Sequence, residues 1–164
     1  LAHDFLWRVH SRCPRNGEIT IFNRSHYEDV LAPRVHRTVP EHVWRARYAH
    51  INAFESLLVD AGTVVVKCFL HVSRTEQLAR LEERLRDPTK RWKARASDFE
   101  ERERWDQYVA AFEEMLERTS STAAPWYVVP SDHKWHRNWV VSTILVETLA
   151  ELDLQYPSTP AEGG

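Results

Sequence analysis

The chain has 164 residues, 43% of them hydrophobic and 28% charged, the make-up of one globular domain with enough apolar side chains to bury a core. Its formal net charge of -2, from 22 Lys and Arg against 24 Asp and Glu, argues against a general nucleic-acid binder, although basic side chains can still gather locally around a polyanion. The longest apolar run, Thr63 to Leu70, is interrupted by Lys67 and too short to span a bilayer, and no secretory leader is visible, so a membrane is not an expected partner either.

The chain opens at Leu1 without an initiator Met, and Leu1, Phe5, Leu6, Val9 and Cys13 already recur at helical spacing, so it is read as part of a longer chain. Pro14 and the Asn16-Gly17 pair end that first helix in a turn. Glu18 to Phe22 (EITIF) is a short β-prone run. Ser25 with Glu28 three residues on makes a capping box, which predicts a helix from Ser25 to about Arg37. Pro40 opens the next helix, striped by Trp44, Tyr48, Ile51, Phe54 and Leu58 and closed by Gly62.

Thr63 to Leu70 (TVVVKCFL) lacks polar alternation, as expected of a strand covered on both faces. Ser73 and Glu76 cap a helix bearing Leu78, Leu81 and Leu85, which stops near Asp87-Pro88 because the residue before proline disfavours helix. A basic loop follows from Asp87 to Ala96. Ser97 with Glu100 then opens one long helix carrying Trp105, Tyr108, Val109, Phe112 and Leu116. Trp126 to Val129 is a third strand, and Val141, Ile144, Leu145 and Leu152 stripe a final helix before a tail, residues 157–164, expected to be disordered. Helices alternating with strands in this way predict an α/β layered domain over residues 1–156 with a parallel sheet.

Four blocks in this order, IFNRSHYEDV at 21–30, KCFLHVSRTEQ at 67–77, RLRDPTKRWK at 84–93 and STAAPWYVVPSDHKW at 121–135, resemble the type 2 polyphosphate kinases. The resemblance implies a P-loop kinase-like three-layer α/β/α fold. It also implies Mg²⁺ dependence, phosphoryl transfer between inorganic polyphosphate and AMP, ADP or ATP, and assembly as a homo-oligomer, dimer or tetramer. The family's glycine-rich phosphate loop is not in this chain, whose glycines are Gly17, Gly62, Gly163 and Gly164. If the family's sheet order holds, the strand before that loop would lie between 18–22 and 63–70, and the chain alone would leave strand edges unpaired. Alternative readings are an ATP-dependent P-loop nucleotide kinase and a non-catalytic module that binds polyphosphate or nucleotide.

Phosphoryl transfer asks mainly for cations that neutralise phosphate oxygens and hold donor and acceptor in line. Arg24, directly after a predicted strand, faces the ligand crevice in that scheme and is assigned a catalytic role together with Arg84 and Asp98. Arg80, Lys90, Trp92, Lys93 and Arg102 are the candidate substrate-binding residues, most of them on a lid of about residues 80–96 that would close over the polyanion. Asn23 stands where relatives carry an acidic metal ligand, and Glu28 and Asp29, one turn on, would restore negative charge to a Mg²⁺ site. Each residue also has a bland reading: Glu28 as the partner of Ser25, Asp98 as a helix-dipole acid, the basic loop as a solvated helix end. The nine histidines show no metal-binding spacing, and His26, His71 and His133 are read as structural. Cys13 and Cys68 are read as buried thiols of a reducing cytoplasm, and the seven tryptophans mostly as core.

Overall fold

The structure, a computed structural model, describes residues 3–93, 95 and 97–156. Its elements in chain order are α1 (Trp7–His10), α2 (Glu28–Val35), α3 (Glu41–Asp60), β1 (Lys67–His71), α4 (Arg74–Arg86), α5 (Ser97–Glu103), α6 (Trp105–Thr119), β2 (Trp126–Pro130) and α7 (Lys134–Glu151), with a single 3₁₀ turn at Arg91–Lys93. β1 and β2 pair in parallel, Lys67 opposite Trp126 through His71 opposite Pro130. The connection between them runs through α4, α5 and α6, as a parallel pair requires. The α/β parallel arrangement expected from the sequence is therefore present.

The core lies among α2, α3 and α6. Val30, Leu31 and Val35 from α2, Trp44, Tyr48 and Ile51 from α3, and Ala111 and Met115 from α6 form one buried cluster. The α3 stripe is the one read from the sequence, and Gly62 closes the helix at φ +88°, a conformation that costs glycine nothing. On α6 the inward face carries Ala111, Met115 and Thr119, while Val109 points outward.

Several expectations fail for identifiable reasons. Glu18 to Phe22 forms no strand, because no neighbouring strand offers it a ladder; Ile19 and Ile21 are 75% and 84% exposed. The strand expected from Thr63 begins only at Lys67, where β2 starts to pair with it. α2 begins at Glu28, not Ser25, with no side-chain cap, and ends before Arg37, whose φ of +52° breaks the helical path. The long helix from Ser97 is two helices, broken at Arg104. Instead of a Ser97 cap, Asp98 Oδ2 accepts from the Arg95 amide at 3.2 Å.

No residue of α7 is fully buried, and Trp135 and Trp139 are exposed. Of the seven tryptophans only Trp44 is buried, so the expected tryptophan core is not found. Cys13 and Cys68 are half-buried and unpaired, and burial pushes both thiols up. Leu1 and the tail from residue 157 lie outside the described residues.

The Ser73 cap forms as read: its Oγ accepts from the Glu76 amide at 3.1 Å. Ser73→Ala is expected to cost about 1 kcal/mol. Urea unfolding of the two proteins side by side checks this, and equal midpoints would remove the cap from the account.

Candidate functional site

The carboxyl ends of β1 and β2 meet where α4 begins. The Ser131 amide donates to the His71 carbonyl at 2.7 Å, and the Ser73 amide donates to Asp132 Oδ1 at 2.7 Å. That backbone N–H, with lesser help from Arg80 and His133, holds the Asp132 carboxyl below the usual carboxylate range. Arg80 is committed here: its guanidinium donates to the Ser131 and Asp132 carbonyls at 2.7 and 3.0 Å and to Glu76 at 2.7 Å. It staples α4 to the end of β2 and has few donors left for a substrate.

Further along α4 and into the loop, the cations are paired with carboxylates of the same region. Arg84 lies 3.3 Å from Asp98 Oδ2, so the two are brought together. Lys90 Nζ stands 2.8 Å from Glu83 and 3.1 Å from Asp87, and those carboxylates raise its pKa, Glu83 most. Arg102 donates to Gln77 Oε1 at 2.6 Å and to the Arg74 carbonyl at 3.0 Å, which ties α5 back to α4. Trp92 is 78% exposed, its indole N–H donating to the Thr89 carbonyl at 3.0 Å. Lys93 ends the 3₁₀ turn, and its side chain, like residues 94 and 96 of the loop, lies outside the described residues. α5 also reaches α2, where Glu101 stands 3.2 Å from His36 and accepts from the Tyr108 hydroxyl at 2.9 Å. Burial and that carboxylate push the Tyr108 phenol up to about 12.

The turn before α2 is a separate cluster. Asn23 and Arg24 are exposed, and Arg24 has φ +66°. A non-glycine residue held there is uncommon and concentrates at functional sites. Its guanidinium lies 3.8 Å from Glu28. Asp29 stands 3.7 Å from Arg8 and 4.0 Å from Arg47, with Oδ2 buried and without a hydrogen-bond donor. Among the described residues no three His, Cys, Asp or Glu side chains stand close enough to hold a metal unaided. Mg²⁺ does not need that: it keeps waters and takes one or two carboxylates plus substrate phosphate. Asn23, Glu28 and Asp29 carry oxygen donors of that kind, and one of them, Asp29 Oδ2, has no hydrogen-bond donor, though Arg8 stands 3.7 Å from it.

Beneath this turn is a buried polar cluster that the motif reading missed. Glu55 of α3 and Lys67 of β1 are each no more than 5% exposed at their side chains and pair at 2.7 Å. Lys67 also donates to the Thr119 carbonyl at 2.5 Å, below the rings of Tyr27 and Trp126. The Tyr27 hydroxyl donates to Glu55 Oε1, and His26 Nε2 lies 3.5 Å from the same oxygen. Burial alone would raise the Glu55 pKa, but His26, Lys67 and Tyr27 outweigh it and hold the carboxyl below its ordinary range. Two signals were available: a lone Lys in an apolar strand, and a Glu beside the inward positions Ile51 and Phe54.

Known proteins bear on the whole chain. The family described as Polyphosphate kinase 2 (PPK2) matches residues 1–157. The chain is 57% identical over 157 residues to an AMP/ADP-polyphosphate phosphotransferase of Meiothermus ruber, covering 96% of this chain and 59% of that protein. It is 43% identical to an ADP-polyphosphate phosphotransferase of Rhodopseudomonas palustris, covering 97% of this chain and 59% of that one. The crystal structure of Polyphosphate Kinase 2 from Arthrobacter aurescens TC1 superposes with a TM-score of 0.95 at 42% identity, over 99% of this chain and 57% of that chain. The chain thus spans about three-fifths of the length of these relatives. Among its described residues no helix is long and apolar enough to cross a membrane.

Proposed function

The chain belongs to the polyphosphate kinase 2 family, and from that premise we propose that the protein moves phosphoryl groups between inorganic polyphosphate and AMP or ADP. The observation that carries this reading is the 57% identity, across nearly the whole chain, to a protein named for that reaction. Residues 1–156 act as one domain in it.

Arg24 reaches the transferred phosphoryl group from the strained turn before α2. Arg84 and Lys90, on a lid of residues 80–96, exchange their present carboxylate partners for phosphate oxygens as the lid closes. Trp92 and Lys93 lie against the polyphosphate chain, Asp98 orients Arg84, and Arg80 and Arg102 hold the lid to the rest of the domain. Glu28, Asp29 and the Asn23 carbonyl oxygen would hold Mg²⁺, which when bound would supply charge neutralisation to phosphate oxygens. Exclusion of water by the closed lid protects the phosphoryl group from hydrolysis. A cytoplasmic setting suits the unpaired Cys13 and Cys68. Assembly into a dimer or tetramer belongs to the same proposal, with the exposed Trp135 and Trp139 as available apolar surface.

The test is ATP formation from ADP, and ADP formation from AMP, with polyphosphate and Mg²⁺, in the natural full-length reading frame. Turnover with ATP as the sole donor would mark an ordinary nucleotide kinase. Polyphosphate retained without turnover would mark a binding module.

The lid adds a prediction. Because Glu83 and Asp87 compete with the substrate for Lys90, Glu83→Gln with Asp87→Asn is expected to tighten polyphosphate binding about two- to fivefold, in proportion to an exposed pair. The gain should fade as salt is raised, because salt screens both the internal pairs and the substrate contacts. Titration calorimetry with a defined polyphosphate length reads it, and weaker binding in the variant would reverse the assignment of those carboxylates.

A further inference from the structure

The buried cluster under the Asn23–Asp29 turn has no part in the scheme above, yet it holds the two most completely enclosed charges of the pair Glu55 and Lys67. A buried ion pair is a weak source of stability, since two apolar side chains of the same volume often do as well or better. Its placement is therefore informative. Glu55 Oε2 takes Lys67, and Glu55 Oε1 takes the Tyr27 hydroxyl and faces His26. One carboxylate thus joins α3, β1 and the residues just before α2. Among the described residues, every polar side-chain contact from residues 23–27 to an element other than α2 goes to Glu55.

The far end of the turn is tied separately to α3, where the Arg47 guanidinium donates to the Asp29 carbonyl at 2.6 Å, and the rest is held locally or by rings. Arg24 pairs with Glu28 inside the turn, and the Glu28 and Asp29 amides donate to the Ser25 and His26 carbonyls. Tyr27 meets the Trp126 ring at 4.6 Å and His26 meets Phe54 at 5.5 Å. Ring contacts press a segment down without fixing its register. A hydrogen bond to an enclosed carboxylate fixes it, because the alternative is an unsatisfied buried charge.

We infer that Glu55 is a positioning residue for phosphoryl transfer: through the Tyr27 hydroxyl it sets where Asn23, Arg24 and Glu28 stand, while Lys67 holds its carboxylate in place. Glu55 touches neither substrate nor metal in this role. The inference rests on the reading of that turn as the phosphate and Mg²⁺ site. Misplacing a catalytic group by about 1 Å costs on the order of a hundredfold in rate, so a hydroxyl far from the chemistry has leverage.

Three variants in the natural full-length reading frame separate a tether from a merely stabilising pair. Tyr27→Phe removes the hydroxyl and leaves the ion pair and ring contacts. It is expected to keep its fold by circular dichroism, lower kcat about tenfold, raise the Mg²⁺ concentration for half-maximal rate severalfold and leave KM for ADP unchanged. Glu55→Leu with Lys67→Met removes charge and tether together and is expected to show the same kinetic pattern. Glu55→Gln with Lys67→Met removes the charges but keeps an oxygen for Tyr27, and is expected to recover most of the lost kcat. A folded Tyr27→Phe protein with unchanged kcat and Mg²⁺ midpoint would overturn the tether, as would equal losses in the Gln and Leu pairs. Arg24→Ala, measured alongside, guards the premise: full activity there would sink the reading of the turn itself, independently of Glu55.

Discussion

Glu55→Leu with Lys67 left in place is expected to lower the unfolding free energy by about 3–5 kcal/mol, a large part of the ~5–15 kcal/mol that holds a domain together. The loss comes from the charge that remains. Lys67 would keep the Thr119 carbonyl and two ring faces but no anion, in a site that already pushes its pKa down through burial. A lysine whose folded pKa is depressed binds fewer protons folded than unfolded, so the variant should gain stability as pH rises toward the unfolded value of about 10.4. The parent protein should show a dependence of the same sign at the acid end. Its Glu55 is held below the ordinary carboxylate range, so that contribution is present above an unfolded pKa of about 4.3 and is lost as pH falls through the lower folded value. Urea midpoints over a pH series, for parent, Glu55→Leu and the Leu–Met pair, read all of this. Near-parental stability of the single variant would mean that Lys67 finds water, and that the cluster is not sealed.

Arg24→Ala is expected to lower kcat by about a hundred- to a thousandfold, the loss seen when one preorganised donor to a developing charge is removed. Arg24 sits at φ +66°, a region that costs an L-residue about 1–2 kcal/mol. Arg24→Gly therefore gives a sharper test. Glycine accepts that conformation freely, so this variant should melt at or above the parent temperature while losing as much activity as Arg24→Ala. Strain tolerated for the sake of a charge predicts that pairing of outcomes. Thermal melts and initial rates of ATP formation, taken on the same preparations, decide it; retained activity in Arg24→Gly would show that the guanidinium is not used.

Helices and the parallel strand pair were legible because their signals are local or periodic: the Trp44-to-Phe54 stripe of α3, the Ser73 cap, the Gly62 stop and the two short apolar runs of β1 and β2, although Leu70, Tyr127 and Val128 stay exposed and the strands are not covered on both faces. What was not legible depends on neighbours. Glu18 to Phe22 has a strand's composition, but a strand exists only by pairing. Ser25 and Ser97 have the spacing of caps, but Arg24 turns the backbone at φ +66° just before the first, and the Asp98 carboxylate takes the Arg95 amide beside the second. The candidate cations were found by type and motif, and their present partners were not, since nothing in the spacing of Arg84 and Asp98 announces a 3.3 Å contact. The Glu55–Lys67 pair fell between the two methods, each residue looking like an isolated exception to an apolar pattern until the fold placed one beside the other.

The break at Arg104 has a kinetic consequence. α5, on the lid side of that break, contributes no buried residue, whereas α6 beyond it carries Ala111, Met115 and Thr119 into the interior. Amide protons of α5 should therefore exchange with deuterium through brief local opening, orders of magnitude sooner than those around Ile51, which wait for the whole domain to come apart. Saturating polyphosphate would slow the first set and leave the second almost where it was, so that exchange times along one continuous stretch, residues 97–119, would change step at a single residue.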